Sequence, residues 1–248
     1  MRKKVAFVTG ATRRIGGAIA TRLAREGYDL VLHCSARSIE TTRDLAASLA
    51  SHGCKTIILP ADLADAAEVD GLMPQAIAAF GCVDLLVNNA SLFEPDEAMA
   101  FTLAGFERHM AINLRAPCVL AQALASQSAL ASGAVINIID QRVWRLNPHF
   151  FTYTLSKSAL WTATQTMAQA FAPRIRVNAV GPGPTLANSR QTAEDFAREA
   201  HAVPLQRPIG LGEIADAVAY LAGASGVTGQ MIAVDAGQHL AWETPDVV

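Results

Sequence analysis

The chain is sparing with cysteine and with charge, and each shortage closes off a class of protein. Its four cysteines, Cys34, Cys54, Cys82 and Cys118, lie far apart, with no CxxC pair and no His/Cys cluster. Free thiols in a reducing, cytoplasmic compartment are the simpler reading, and no metal site is expected. Charged residues make up only 17% of the chain and the formal net charge is -2. That balance gives no reason to expect nucleic acid or an anionic membrane as a partner. A long apolar run is missing as well. Residues 116–139 carry no charge, but Pro117, Gln122, Gln127 and Gly133 break them up, so no membrane span is expected. The start MRKK-VAFV has the outline of a secretion signal, yet Arg13 and Arg14 interrupt the apolar stretch such a signal needs. The triplet Asn89-Ala90-Ser91 matches a glycosylation acceptor and reads as a chance match in such a chain.

What the chain does have is apolar residues, 51% of 248, enough for a large core. They recur as short runs: KVAFVT, DLVLHC, KTIILP, VDLLVNN, AVINII, RIRVNAV and MIAVD. Alanine- and leucine-rich segments with helical spacing lie between them. Alternating strands and helices predict a parallel sheet covered on both faces, and strands buried on both faces read as continuous apolar runs. The expectation is one α/β unit over 1–248, a doubly wound parallel sheet of about seven strands with helices on both faces. Its ligand site belongs at the carboxyl ends of the strands. No linker or repeat divides the chain. The segment GPGPT at 181–185 opens an irregular region, about 184–210, that has the length of a substrate loop or lid. The tail at 240–248 has no clear period and is expected to pack on a neighbouring subunit.

Two motifs carry chemistry. After the first strand comes TGATRRIGG, Thr9 to Gly17. A glycine turn between strand and helix lets backbone approach a pyrophosphate closely, and two arginines inside one are unusual. Further on, Tyr153-Thr-Leu-Ser-Lys157 puts a phenol and an ammonium on one helix face, four residues apart. A cation beside a phenol is expected to lower its pKa and ease proton transfer. For an isolated YxxxK a core tyrosine and a surface lysine would be the plainer reading. The second strand ends His33-Cys-Ser-Ala-Arg37-Ser38, with no acid to bind ribose hydroxyls. Arg37, Ser38 and Arg13 are placed to hold a 2′-phosphate, which favours NADPH over NADH. The alternative for Arg37 is a solvated residue at a helix start.

TGxxxxxG at 9–16, LVNNA at 86–90, Asn113, YTLSK at 153–157 and PGP at 182–184 together resemble the short-chain dehydrogenase/reductase family, over essentially the whole chain and in family order. The resemblance implies a Rossmann-type fold, a homotetramer and NADP(H) as cofactor. It implies that Tyr153 transfers a proton, that Lys157 lowers its pKa and holds the nicotinamide ribose, and that Asn113 shapes a helix and a water relay. Asn89 and Ala90 would line the adenosine side and Asp62 would contact adenine. Gly10, Ile15, Gly16, His33, Leu63, Gly183 and Thr185 would touch the cofactor too. The usual VDGG near the C-terminus is VDAG here, with Ala236.

Two departures narrow the resemblance. Arg14 stands where the family has glycine, and Asp140 where it has a serine thirteen residues before the tyrosine. Both are similar to the pteridine reductase branch, as is Asn89-Ala-Ser-Leu-Phe93 with its NAS-x-F pattern. By that resemblance Arg14 would reach the cofactor pyrophosphate and the pterin carbonyl, Phe93 would stack on the pterin, and Ser91 would bond its ring edge. Asp140 and Tyr153 would deliver a proton to the substrate. Phe93 taken alone reads as a core aromatic near a strand end. The expected function is NADPH-dependent reduction of a dihydropterin or dihydrofolate. A carbonyl reductase for a ketoacyl chain, sugar or steroid is the alternative, weakened because an ionised aspartate cannot donate to a carbonyl. A non-catalytic nucleotide-binding protein is the third, weakened by the intact Tyr153, Lys157 and Asn113. His149, Trp144, Arg145 and Trp242 are weaker candidates, for which packing or no role is the safer expectation.

Overall fold

A computed structural model of the chain describes residues 2–187 and 191–242. Seven strands form one parallel sheet: β1 (Val5–Val8), β2 (Asp29–Cys34), β3 (Thr56–Pro60), β4 (Leu85–Asn88), β5 (Gly133–Ile138), β6 (Ile175–Pro182) and β7 (Met231–Val234). Their order is β3-β2-β1-β4-β5-β6-β7. Each expected apolar run is one of these strands.

The alternation of side chains along the strands explains why both faces need cover. In β1, Val5 and Phe7 enter one core while Ala6 and Val8 enter the other. In β4, Leu86 points to the first and Leu85 and Val87 to the second. Helices α1 (Arg14–Arg25), α2 (Ile39–Leu49) and α8 (Leu211–Gly223) cover one face. Helices α3 (Ala66–Phe80), α5 (Ala116–Ala125) and α6 (Phe151–Phe171) cover the other. Helix α4 (Leu103–Met110) runs into α5 through a π-helical turn, Ala111–Arg115. The irregular region expected at 184–210 contains a further helix, α7 (Ala193–His201). Thr192 and Asp195 close a reciprocal capping box on it, which fixes its start.

After β3 the chain returns to the far side of β1 and continues outward as β4, so the order reverses between β1 and β4. Helices leave these two strands in opposite directions, which opens a crevice at their carboxyl ends. The glycine turn after β1 and Asn89 after β4 face each other there. Ala236 has φ +54, in the left-handed region where glycine is preferred. Of the tail, Gln238–Leu240 form one 3₁₀ turn, and 243–248 lie outside the described residues.

Candidate active site

The carboxyl ends of β1, β2 and β4 enclose a cleft of about 880 Å³. The turn that begins at Thr9 is its floor. Gly10 has φ +61, and a Cβ at Gly16 would stand 2.1 Å from the Gly10 carbonyl oxygen and 2.6 Å from Asn89 Nδ2. Only glycine fits Gly16. The close approach also lets Asn89 Nδ2 donate to the Thr9 and Gly10 carbonyls at 2.9 and 3.0 Å. Thr9 Oγ1 accepts from the Asn89 and Ala90 amides at 2.9 and 3.0 Å. His33, at the end of β2, braces the turn from the other side. Its Nδ1 accepts from the Gly10 amide at 3.1 Å, so its Nε2 carries the hydrogen and donates to the Ala61 carbonyl at 3.1 Å. Burial lowers the His33 pKa to about 4, which keeps the ring neutral.

Arg13, Arg37, Ser38, Asp62 and Leu63 line the rest of this cleft. Arg13 and Arg37 are exposed and, among the described residues, stand in no ion pair. Glu40, the first acid after β2, pairs with Arg43 at 2.5 Å. Two guanidinium forks at the rim and no acid on the β2 end suit a phosphorylated ribose better than a bare one.

A second cleft, of about 720 Å³, shares Arg14, Ile15, Asn89 and Ser91 with the first. Asp140, Tyr153 and Lys157 meet in it, with Gly183 and Thr185 on the β6 side. Asp140 lies two residues past β5 and caps a 3₁₀ turn, accepting from the Arg142 amide at 2.8 Å. Tyr153 donates its hydroxyl to Asp140 Oδ2 at 2.9 Å. Lys157 is buried and its Nζ donates to the Ile138 carbonyl at 2.8 Å. Asn113 lies behind the cleft on the π turn, fully buried. Its Oδ1 accepts from the Leu92 amide at 2.8 Å and its Nδ2 donates to the Leu92 carbonyl at 2.9 Å and to Ser156 Oγ at 3.0 Å. The two clefts thus take in every residue expected at the site apart from Asn113, which supports them from beneath.

The electrostatics correct one expectation. The Tyr153 pKa is not lowered but raised well above its ordinary value, by burial and then by the Asp140 charge and hydrogen bond. The lysine's ammonium faces the Ile138 carbonyl, 5.8 Å from the phenol ring centre, while the carboxylate touches the hydroxyl. Burial likewise raises the Asp140 pKa, against the opposing pull of Arg142, Tyr153 and Lys157. Burial lowers Lys157 to about 8, with Asp140 pulling it back up. Each member of the Asp140–Tyr153 pair thus holds its proton more firmly than it would in water.

Phe93 was expected here; its partner in an aromatic wall, Phe150, was not. Phe93 stacks on Phe150, centroids 4.3 Å apart and planes 9° apart, and Tyr153 meets Phe93 edge-on at 4.7 Å. The Arg142 guanidinium lies over both rings, 5.0 Å from Phe150 and 5.7 Å from Phe93. Phe150 has φ +59, a costly conformation for a bulky residue. It stands just before α6 as the helix's N-cap, three residues ahead of Tyr153. Arg14 has φ +53 and donates to the Leu186 and Ala187 carbonyls at 3.1 and 3.2 Å, tying the glycine turn to the loop after β6. Ser91 bonds Asn113 Oδ1 at 3.3 Å. His149 faces Glu97 at 3.5 Å; Trp144 contacts Trp161 and His239; Arg145 and Trp242 are exposed. None of these four lines either cleft.

This geometry has close counterparts. A crystal structure of FolM alternative dihydrofolate reductase 1 from Brucella canis, complexed with NADP, is 48% identical and superposes with a TM-score of 0.94, covering 99% of this chain and 97% of that one. A blue fluorescent protein from a metagenomic library, in complex with NADPH, is 38% identical with a TM-score of 0.89, covering 94% of this chain and 97% of that one. The 3-oxoacyl-[acyl-carrier-protein] reductase FabG of Staphylococcus aureus is 32% identical over 243 residues, 96% of this chain and 98% of its own length. A family model described as enoyl-(acyl carrier protein) reductase matches residues 10–239. With its fold, its two joined clefts and these relatives, the chain belongs to the short-chain dehydrogenase/reductase family of oxidoreductases, on the side of its pteridine reductase-like branch.

Proposed function

We propose that the protein is an NADPH-dependent reductase of a pterin ring, taking a dihydropterin or dihydrofolate to its tetrahydro form. The observation that carries the reading is the Tyr153 hydroxyl on Asp140 Oδ2 at 2.9 Å, in one cleft with Phe93. The bound NADP of the Brucella relative supports the cofactor, and that relative's name supports the substrate. Arg13, Arg37 and Ser38 would hold the 2′-phosphate, Asp62 and Leu63 the adenine end, and the glycine turn the pyrophosphate.

NADPH, when bound, supplies a hydride to the carbon of the ring C=N bond. The protein's own residues handle the proton that the ring nitrogen then needs. While Asp140 is ionised, the Tyr153 hydroxyl points at it. Once Asp140 is protonated it becomes the donor, and the Tyr153 hydrogen is freed for the substrate nitrogen. The raised Asp140 pKa makes that protonated state accessible nearer neutrality. Lys157, titrating near 8, keeps most of its charge at pH 7 and would hold a ribose hydroxyl. Phe93 offers a flat face to a polar heterocycle. Arg14 is within reach of both clefts, where glycine would leave no donor.

FabG-like chemistry on a ketone is the competing reading, because FabG is a full-length relative. Asp140 weighs against it: the family's serine can donate to a carbonyl at any pH, whereas an aspartate donates only in its protonated form. NADPH oxidation with a panel of dihydropterins, dihydrofolate and simple ketones tests the choice. Turnover of the pterins is expected; turnover of ketones alone overturns the reading, and turnover of nothing leaves only nucleotide binding. A homotetramer in the cytoplasm belongs to the same proposal, and sedimentation of the purified protein checks the assembly. Among the described residues, no helix is long and apolar enough to cross a membrane.

A further inference from the structure

Phe93 sits on a loop, and a loop is a poor place for a residue that must present a flat ring at a fixed height. The structure answers this with a chain of buried polar groups behind the ring. Leu92, on one side of Phe93, is held by Asn113 through both its amide and its carbonyl, at 2.8 and 2.9 Å. Glu94, on the other side, donates its amide to His109 Nε2 at 3.3 Å. That bond fixes the tautomer. His109 Nδ1 must carry the hydrogen, and it donates to Thr152 Oγ1 at 2.8 Å. The Thr152 hydroxyl then donates to Asp96 Oδ2. Asp96 in turn accepts from the Thr152 amide at 3.1 Å, and its backbone carbonyl accepts from the Phe150 amide at 2.9 Å. His109 and Thr152 are buried, and burial lowers the His109 pKa, which suits the neutral form.

Three segments distant in sequence are joined by this chain: the loop after β4, helix α4 and the start of α6. Both rings of the stacked pair are attached to it, Phe93 through Glu94 and Phe150 through Asp96. It also holds Phe150 at φ +59, a conformation that needs outside support. We propose that Asp96, His109 and Thr152 are positioning residues for the Phe93–Phe150 platform, and that their hydrogen-bond chain sets the affinity for a flat substrate. The proposal rests on the cleft of Asp140 and Tyr153 being the substrate site. The physical basis is preorganisation: a platform in place for only a fraction of the time weakens binding by that fraction.

Thr152→Val keeps the shape and removes the hydroxyl, so it cuts the chain at its middle. Thr152→Ser keeps the hydroxyl and serves as the rescue, and Asp96→Ala, which removes both acceptor oxygens, cuts the chain from the other end. Two measurements are made on each. Hydrogen exchange of peptides spanning 92–97 reads the platform without any substrate. Faster exchange there, with the β4 and β5 peptides unchanged, is expected in Thr152→Val and Asp96→Ala but not in Thr152→Ser. Steady-state kinetics on the best substrate of the wild type should then give a substrate KM raised about tenfold, the loss of one buried hydrogen bond, with kcat and the NADPH KM within about threefold. Unchanged exchange at 92–97 in both cutting variants overturns the proposal. So does a fall in kcat with no change in substrate KM, or a Thr152→Ser variant that behaves as Thr152→Val. A wild type that reduces ketones and no pterin refutes the functional reading, while the exchange data still judge the platform.

Discussion

Replacing Asp140 with serine restores the residue usual in the family and separates the two enzyme readings. The fold should tolerate it. Asp140 caps the 3₁₀ turn through the Arg142 amide, and a serine Oγ accepts such a bond nearly as well, within about 1 kcal/mol. The sign of the charge effect favours the variant. A carboxyl whose folded pKa is raised contributes stability at low pH and loses it as pH rises through that pKa. At pH 7 to 8 the wild type therefore carries a cost that serine removes, and the melting temperature should hold or rise. Chemistry should go the other way. Two of the three influences that raise the Tyr153 pKa are the charge of Asp140 and its hydrogen bond. Without them the phenol gives up its proton more readily, but the proton store that would resupply it is gone, and Lys157 drops below its value of about 8. Loss of a positioned proton donor costs roughly 10²–10⁴-fold, or about 3–5 kcal/mol in barrier. The assay is kcat/KM for pterin reduction as a function of pH. The wild type should lose rate as pH rises through the Asp140 titration, and Asp140→Ser should lack that limb and run ~10²-fold lower or worse. Fully oxidised pterins should suffer most, if dihydropterins draw their proton from water. Unchanged pterin turnover with new ketone activity would refute the reasoning.

Arg14→Gly removes a left-handed arginine, relieving roughly 1 kcal/mol of strain, and gives up the bonds to Leu186 and Ala187. Thermal melting should change little and NADPH should still bind, while pterin turnover collapses; wild-type pterin kinetics would deny Arg14 a substrate role. NADPH should be preferred to NADH by tenfold or more in kcat/KM, and Arg37→Ala should erode that preference, since one charged contact is worth about 1.5–3 kcal/mol. Equal values for the two cofactors would count against the phosphate site at the β2 end. Phe93→Ala should raise the pterin KM by roughly tenfold or more and leave the NADPH KM alone. A broad fall in melting temperature would instead mark Phe93 as a core residue.

The strands were legible because parallel strands buried on both faces read as nearly continuous apolar runs, as β1 does throughout and β4 and β5 do apart from the buried Asn88 and Asn137. The residues beside the turn and on α6 were legible because short sequence spacing becomes short distance there. The direction of the Tyr153 shift was not, since spacing placed Lys157 near the phenol but could not say that its ammonium turns to Ile138. Phe150 escaped because its place depends on a positive φ imposed from another segment. The chain Asp96–Thr152–His109 escaped for the same reason: its members are 56 and 43 residues apart, and no linear pattern records such bonds.

The brace at His33 makes the glycine turn an acid-labile structure. A protonated imidazole would aim a hydrogen at the Gly10 amide, which is itself a donor, so the two would repel across 3.1 Å. The ring titrates near 4 in the folded protein against 6.5 in an open chain. A depressed histidine contributes stability above the unfolded value and loses it as pH falls toward the folded one. Between pH 6.5 and 4 that loss is about 1.4 kcal/mol per pH unit, some 3 kcal/mol in all. The load falls on the one turn that both clefts share, so acidification should loosen the grip on a dinucleotide before it unfolds the sheet.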